Sequence, residues 1–80
     1  MIKTIREKAG LSQAEFGVAI SAIIEDEKTI AQSTVSAWES TNKRDRRYPK
    51  RKHAQAIMEF NRNLPRSKRV TGVSLDKLLA

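Results

Sequence analysis

Apolar residues recur along this chain at helical rather than strand spacing. Ile2, Ile5 and Ala9 fall at i, i+3 and i+7, which predicts an amphipathic helix over residues 1–9. Gly10 follows as a stop in the left-handed conformation. Ser12-Gln13-Ala14-Glu15 is a capping-box sequence, with Leu11 placed before it as a hydrophobic staple. Phe16, Ala19, Ile20, Ile23 and Ile24 then mark one face of a second helix reaching about Glu25. Glu25 to Lys28 reads as a solvated turn. Thr29-Ile30-Ala31-Gln32 reads as a second capping box, starting a third helix near Ile30 that runs to about Ser40. Val35 and Trp38, spaced i and i+3, anchor that helix to a core. Thr41-Asn42 ends it, since Asn tolerates left-handed geometry. Pro49 suits the first turn of a fourth helix. Ala54, Ile57, Met58 and Phe60 give this helix its apolar side, and Leu64-Pro65 closes it. Val70 to Val73 suits a short extended arm, and Ser74 caps a final turn bearing Leu75, Leu78 and Leu79. The pattern predicts an all-α fold of four to five helices.

Eighty residues make one small domain. The helical body spans residues 1–64 and a C-terminal extension spans 65–80. A chain of this size buries only about 60% of the surface it exposes when unfolded. It has no Cys, so neither disulfides nor thiolate metal sites supplement the core. A homodimer is the expected remedy, with Val70, Val73, Leu75, Leu78 and Leu79 as its contacts or, alternatively, as closure of the monomer core. No run of aliphatic residues exceeds three, as in Ala22-Ile23-Ile24, far below the ~20 residues of a membrane span. No signal-peptide core is visible at the N-terminus, so no membrane association and a cytoplasmic location are expected.

Charge narrows the partner. Sixteen Lys and Arg stand against nine Asp and Glu, a net charge of +7. That balance points to a polyanion. Seven of the sixteen cations, Lys43, Arg44, Arg46, Arg47, Lys50, Arg51 and Lys52, crowd into residues 43–53. This run lies between structured segments, which favours phosphate contact over a merely solvated tail. Glu25, Asp26 and Glu27 form a separate acidic knot.

The third helix turns Gln32, Ser33, Ser36 and Ala37 away from its Val35–Trp38 anchor. An outer face nearly free of charge is unusual on so basic a protein. Short and flexible side chains of this kind suit base edges in a DNA groove. Two helices joined by a turn, the second bearing such residues, describe a helix-turn-helix.

The sequence here resembles the Cro/C1-type (XRE) helix-turn-helix repressors of phages and plasmids. The resemblance runs from Ile5 to about Phe60. It rests on Arg6-Glu7-x-x-Gly10-Leu11-Ser12-Gln13 together with Val35-Ser36-x-Trp38-Glu39, with Asn42 and Pro49 beyond. It implies a lambda-repressor-like fold and binding to double-stranded DNA. On that footing Gln32, Ser33, Ser36 and Ala37 are the base readers. Gln13, Thr34, Ser40, Asn42, Lys43, Arg44, Arg46 and Arg47 are the phosphate contacts. A glutamine amide can donate to adenine N7 and accept from N6, which suits Gln32, although a capping role competes for the same side chain. The family match makes Trp38 a core residue rather than a base-stacking one, and makes Glu39 a partner of Arg6. Tyr48 either offers its hydroxyl to a phosphate or packs on the fourth helix.

One departure from the family pattern is plain. Nine residues, Ser21 to Thr29, stand where a single Gly usually joins the second and third helices. The expected result is a longer second helix and an enlarged connection, with Glu25, Asp26 and Glu27 facing away from phosphates. The register of the third helix is open by one or two residues. Ala31 holds the place of the usual cap, which moves the expected cap to Thr29.

Enzymatic readings are poor. His53 is the only histidine, and a lone His without Cys makes no zinc site. A small ribonuclease using His53 with Glu39 or Glu59 is the remaining enzymatic alternative. No cofactor is expected. The sequence reading is therefore a transcriptional regulator that occludes a promoter, 80 residues leaving little room for a separate ligand-binding or activation domain. A homodimer would read an inverted repeat with half-sites about 10 bp apart. The rival readings are an antitoxin, whose acidic insertion would face a protein toxin, and a general RNA binder.

Overall fold

A computed structural model of the protein describes residues 1–25, 28–42 and 44–79. Among these residues it has five α-helices and no strand: α1 (Ile2–Ala9), α2 (Gln13–Ile24), α3 (Gln32–Glu39), α4 (Arg51–Arg62) and α5 (Leu75–Leu79). A single 3-10 turn lies at Arg66–Lys68.

The first two helices form as their caps predict. Gly10 takes φ 75°, and its N–H and that of Leu11 close on the Glu7 and Arg6 carbonyls at 3.0 and 3.2 Å. This Schellman closure needs a residue without a Cβ penalty in the left-handed region. Ser12 Oγ accepts from the Glu15 N–H at 3.1 Å, and Glu15 Oε1 accepts from the Ser12 N–H at 2.9 Å. Hydrogen bonding from the Ser12 N–H, and to a lesser extent from the Ser12 side chain, holds the Glu15 carboxyl below its ordinary range.

The core is built where α2 crosses α4 and α3. Ile5, Phe16, Ile20, Val35 and Ile57 are fully buried, joined by Trp38, Ala54 and Ile30. Burying each larger aliphatic or aromatic side chain contributes about 1.5–3 kcal/mol. Phe16 and Phe60 meet edge to face, centroids 5.4 Å apart.

The enlarged connection is held at two points on α2. Ser21 is buried; its hydroxyl donates to the Gly17 carbonyl at 2.8 Å and accepts from the Ile30 N–H at 2.7 Å. At Gly17 the returning chain comes so close that a Cβ would overlap the Ile30 carbonyl oxygen. Beyond these points α2 ends at Ile24, with Glu25 as its C-cap, a non-glycine in the left-handed region at φ 54°.

Three local expectations are corrected. The third helix starts at Gln32 rather than near Ile30, with Ala31 at its N-cap and no side-chain cap bond, so the Thr29–Gln32 capping box is not formed. The Ile30 N–H is taken by Ser21, which holds that residue out of the helix. Pro49 does not lie in the first turn of α4: Lys50 is the N-cap and Pro49 is buried just before it. Asn42 does not use left-handed geometry, since Glu25 is the one non-glycine with positive φ among the described residues. Its side chain instead accepts from the Arg44 N–H at 3.0 Å and shapes the turn.

The C-terminal extension folds back on α4. Asn61, buried on the apolar side of α4, holds Val70 by both backbone groups, donating to its carbonyl at 2.8 Å and accepting from its N–H at 2.9 Å. Ser74 accepts from the Lys77 N–H at 3.3 Å, as a cap for α5. Leu78 is 3% exposed in the monomer core, so this member of the expected dimer set has no surface to offer a second copy. Val70, Val73, Leu75 and Leu79 are half-buried against the same core.

Candidate nucleic-acid interface

The α3 helix has two faces of opposite character. Val35 and Trp38 are at 0% and 4% exposure and fix it to the core. Gln32, Ser33 and Ser36 are exposed and Ala37 is half-buried, so the four sequence-predicted readers share the outer side. Trp38 is further held by the His53 ring, centroids 5.6 Å apart. Its indole is thus a structural anchor rather than a stacking surface.

Arg6 ties α1 to the last turn of α3. Its Nε donates to Glu39 Oε2 at 2.7 Å and its Nη2 to Oε1 at 2.9 Å. A bidentate pair of this kind fixes both distance and rotation. Both side chains are largely buried, at 14% and 5% exposure. Burial works against the Glu39 carboxylate, but the hydrogen bonds from Arg6 and Gln13 and the Arg6 charge outweigh it and hold the group below the usual range. The same pairing raises Arg6 above its ordinary value. Glu39 is therefore committed to Arg6, and the ribonuclease alternative loses that acid. Glu39 Oε1 also accepts from Gln13 Nε2 at 3.2 Å, and Gln13 Oε1 lies 3.5 Å from Gln32 Nε2. A predicted phosphate contact and a predicted reader thus meet at the first turns of α2 and α3.

The basic segment is brought back against α3 by its backbone. The Arg47 N–H donates to the Ala37 carbonyl at 3.0 Å. This opens a cleft of about 400 Å³ in which Arg47, Tyr48 and Lys50 face Ser33, Thr34 and Ala37. Arg44, Arg46 and Arg47 are all exposed, as is Thr34. Tyr48 is 53% exposed, with the Arg46 guanidinium 5.0 Å over its ring. Ser40 and Asn42 serve the turn: Ser40 Oγ accepts from the Asn42 N–H at 3.2 Å. Lys43, and the expectation that Asp26 and Glu27 face away from phosphate, lie outside the described residues.

Charge divides along the chain in the same sense. Residues 1–31 carry four Lys and Arg against five Asp and Glu, whereas residues 32–80 carry twelve against four. The cations are concentrated in the part of the chain that begins with α3.

Sequence reasoning missed Gly17, Ser21 and Asn61, and the Gln13–Gln32 contact. Asn61 had a signal, since it continues the Ala54–Ile57 apolar register with a polar side chain. Ser21 had the weaker one of lying beside Ile20 on the buried side of α2.

Comparison with protein-family models, with curated proteins and with solved structures returns no match for this chain. No helix among the described residues is long and apolar enough to cross a membrane.

Proposed function

We propose that the protein is a sequence-specific double-stranded DNA-binding regulator. In this reading α2 and α3 act as a helix-turn-helix of the lambda-repressor type, with an enlarged turn. The observation that carries it is the joint placement of an exposed, uncharged α3 face and a cationic cleft along its flank. Base edges in the major groove are read by short polar side chains and amides, while cations beside them neutralise phosphates and set register. Gln32, Ser33, Ser36 and Ala37 take the first role. Thr34, Arg44, Arg46 and Arg47, with Gln13 at the start of α2, take the second, since a helix N-terminus suits an anion. A protein seated in the groove across a promoter blocks it sterically, so repression by occlusion is the mode of action proposed. A homodimer is proposed with it, reading an inverted repeat through two α3 helices. Of the C-terminal residues, Val70, Val73, Leu75 and Leu79 retain surface for a second copy, while Leu78 serves the monomer.

The experiment is a pair of substitutions. Gln32→Ala is expected to lose discrimination at one base position, by about 1–3 kcal/mol, and to leave nonspecific binding intact. Arg46→Ala is expected to weaken binding to all duplexes and to flatten the salt dependence by about one unit of slope. Uniform weakening from Gln32→Ala, or an unchanged slope from Arg46→Ala, would contradict the assigned roles.

A further inference from the structure

Resting on the DNA-reading role of α3, we propose that the C-terminal helix α5 adds a DNA-backbone contact of its own. Its Lys77, with Lys3 of α1 and Arg46 of the basic segment, forms a phosphate-binding cleft at the end of α3. Of these three cations only Arg46 lies in the segment that the sequence marks for phosphate. The other two come from opposite ends of the chain.

The cleft exists because three elements meet there. It holds about 300 Å³ beside the last turn of α3, and Lys3, Thr41, Arg46 and Lys77 line it. A second cleft, of about 330 Å³, shares Lys3 and Thr41 with it and reaches Ser36 and Gln13. The two form one polar track that leaves the reading side of α3 and ends at α5. The cleft of Arg47, Tyr48 and Lys50 lies along the other flank, against Ser33, Thr34 and Ala37, and shares neither Lys3 nor Thr41. A helix seated in a major groove about 12 Å wide has a phosphate strand on either side. The clefts on its two flanks offer cations to both strands.

The charge of the track suits an anion. Glu39 is the one carboxylate on its lining. Both oxygens of that carboxylate accept from Arg6, and one also accepts from Gln13. The Arg6 charge balances it, so Lys3, Arg46 and Lys77 set the sign of the track. All three are exposed.

Lys77 is also held in place. Its N–H donates to Ser74 Oγ at 3.3 Å, and its Nζ donates to the Gly72 carbonyl at 3.1 Å. The next residue, Leu78, is buried in the core. An ammonium has three donors, and the Gly72 carbonyl takes one. Two remain for phosphate oxygens, on a side chain whose rotamers are already restricted, which lowers the ordering cost of binding. Val70 and Val73 line a different groove, with Met58 of α4. The extension can therefore meet a second copy and a phosphate through different residues.

The test measures duplex affinity against salt for the wild-type protein, Lys77→Met and Lys77→Arg. Lys68→Met controls for charge alone, since Lys68 is exposed in the same extension and lines neither cleft of the track. Each neutralised phosphate contributes about 0.9 to the slope of log affinity on log salt. Lys77→Met is expected to flatten the slope by about 0.9 and to weaken binding to every duplex about five- to tenfold at 0.1 M salt, with little change in thermal midpoint. Lys77→Arg and Lys68→Met are expected to keep the wild-type slope. Lys77→Gln is the second variant should the methionine perturb the fold. The amide resonances of Thr41 and Lys77 are followed as duplex DNA and, separately, inorganic phosphate are added, and are expected to move with the duplex. An unchanged slope in both Lys77→Met and Lys77→Gln overturns the inference while leaving the DNA-reading role in place, and so does an equal loss from Lys68→Met. Resonances that respond to inorganic phosphate but not to the duplex also overturn it, and assign the cleft to a free anion. A wild-type protein that binds no duplex overturns both.

Discussion

The Arg6 guanidinium grips the Glu39 carboxylate through two parallel bonds, at 2.7 and 2.9 Å, and so joins the first helix to the end of the third. With 14% and 5% of the two side chains exposed, the pair is largely enclosed, unlike a surface ion pair, whose contribution is about 0–1 kcal/mol. Breaking an enclosed pair leaves one charge without its partner, which costs several times more.

Glu39→Gln is therefore expected to destabilise the protein by about 3 kcal/mol at neutral pH, the low end for such pairs because Arg6 keeps an exposed edge. The Glu39 carboxyl is held below its unfolded value, so its contribution is complete above about pH 4.3 and is lost as pH falls through the folded value. The gap between wild-type and variant unfolding free energies should accordingly narrow below pH 4. Denaturant titrations at pH 7 and pH 3 measure it. A gap that is the same at both would exclude the ion pair as its source.

The connection between α2 and α3 depends on Ser21 and Gly17. Ser21→Ala leaves the buried Ile30 N–H without its acceptor and should cost about 1–3 kcal/mol. Gly17→Ala places a methyl group on the Ile30 carbonyl, a backbone atom that cannot swing aside, and should cost about 3 kcal/mol. Both should lower the thermal midpoint, and the two losses should fall short of additive because they act on the same residue. Wild-type stability in Ser21→Ala would show that another group satisfies Ile30.

Much of the helical body was legible in the sequence because its signals are local. The Ser12–Glu15 box, the Gly10 stop and the Val35–Trp38 spacing each depend on residues within one or two turns. The start of α3 was misjudged because Thr29 and Gln32 satisfy a local capping rule that a distant residue, Ser21, overrides. The Arg6–Glu39 pair came from family resemblance rather than spacing, since 33 positions separate the partners. The reader face was legible as a set of positions. The Gln13–Gln32 contact was not, because it depends on how two helix starts meet in space.

Leu78 distinguishes monomer packing from association. At 3% exposure in the monomer core, Leu78→Asp should destabilise the protein by about 3–5 kcal/mol, mainly through burial of an unpaired carboxylate. The loss should appear at every protein concentration, as read from thermal unfolding across a dilution series. A variant that keeps its thermal midpoint and changes only its sedimentation would place Leu78 at an interface between copies instead.

Whether α3 reads DNA sequence is measured by selection of bound duplexes from a random pool. Recovery of a shared motif is expected, arranged as an inverted repeat with half-sites about 10 bp apart centre to centre. Gln32→Ala is expected to erase the preference at one symmetry-related position in each half-site. Recovery of sequences no different from the starting pool, with binding that falls with salt equally for all of them, would contradict sequence reading by α3.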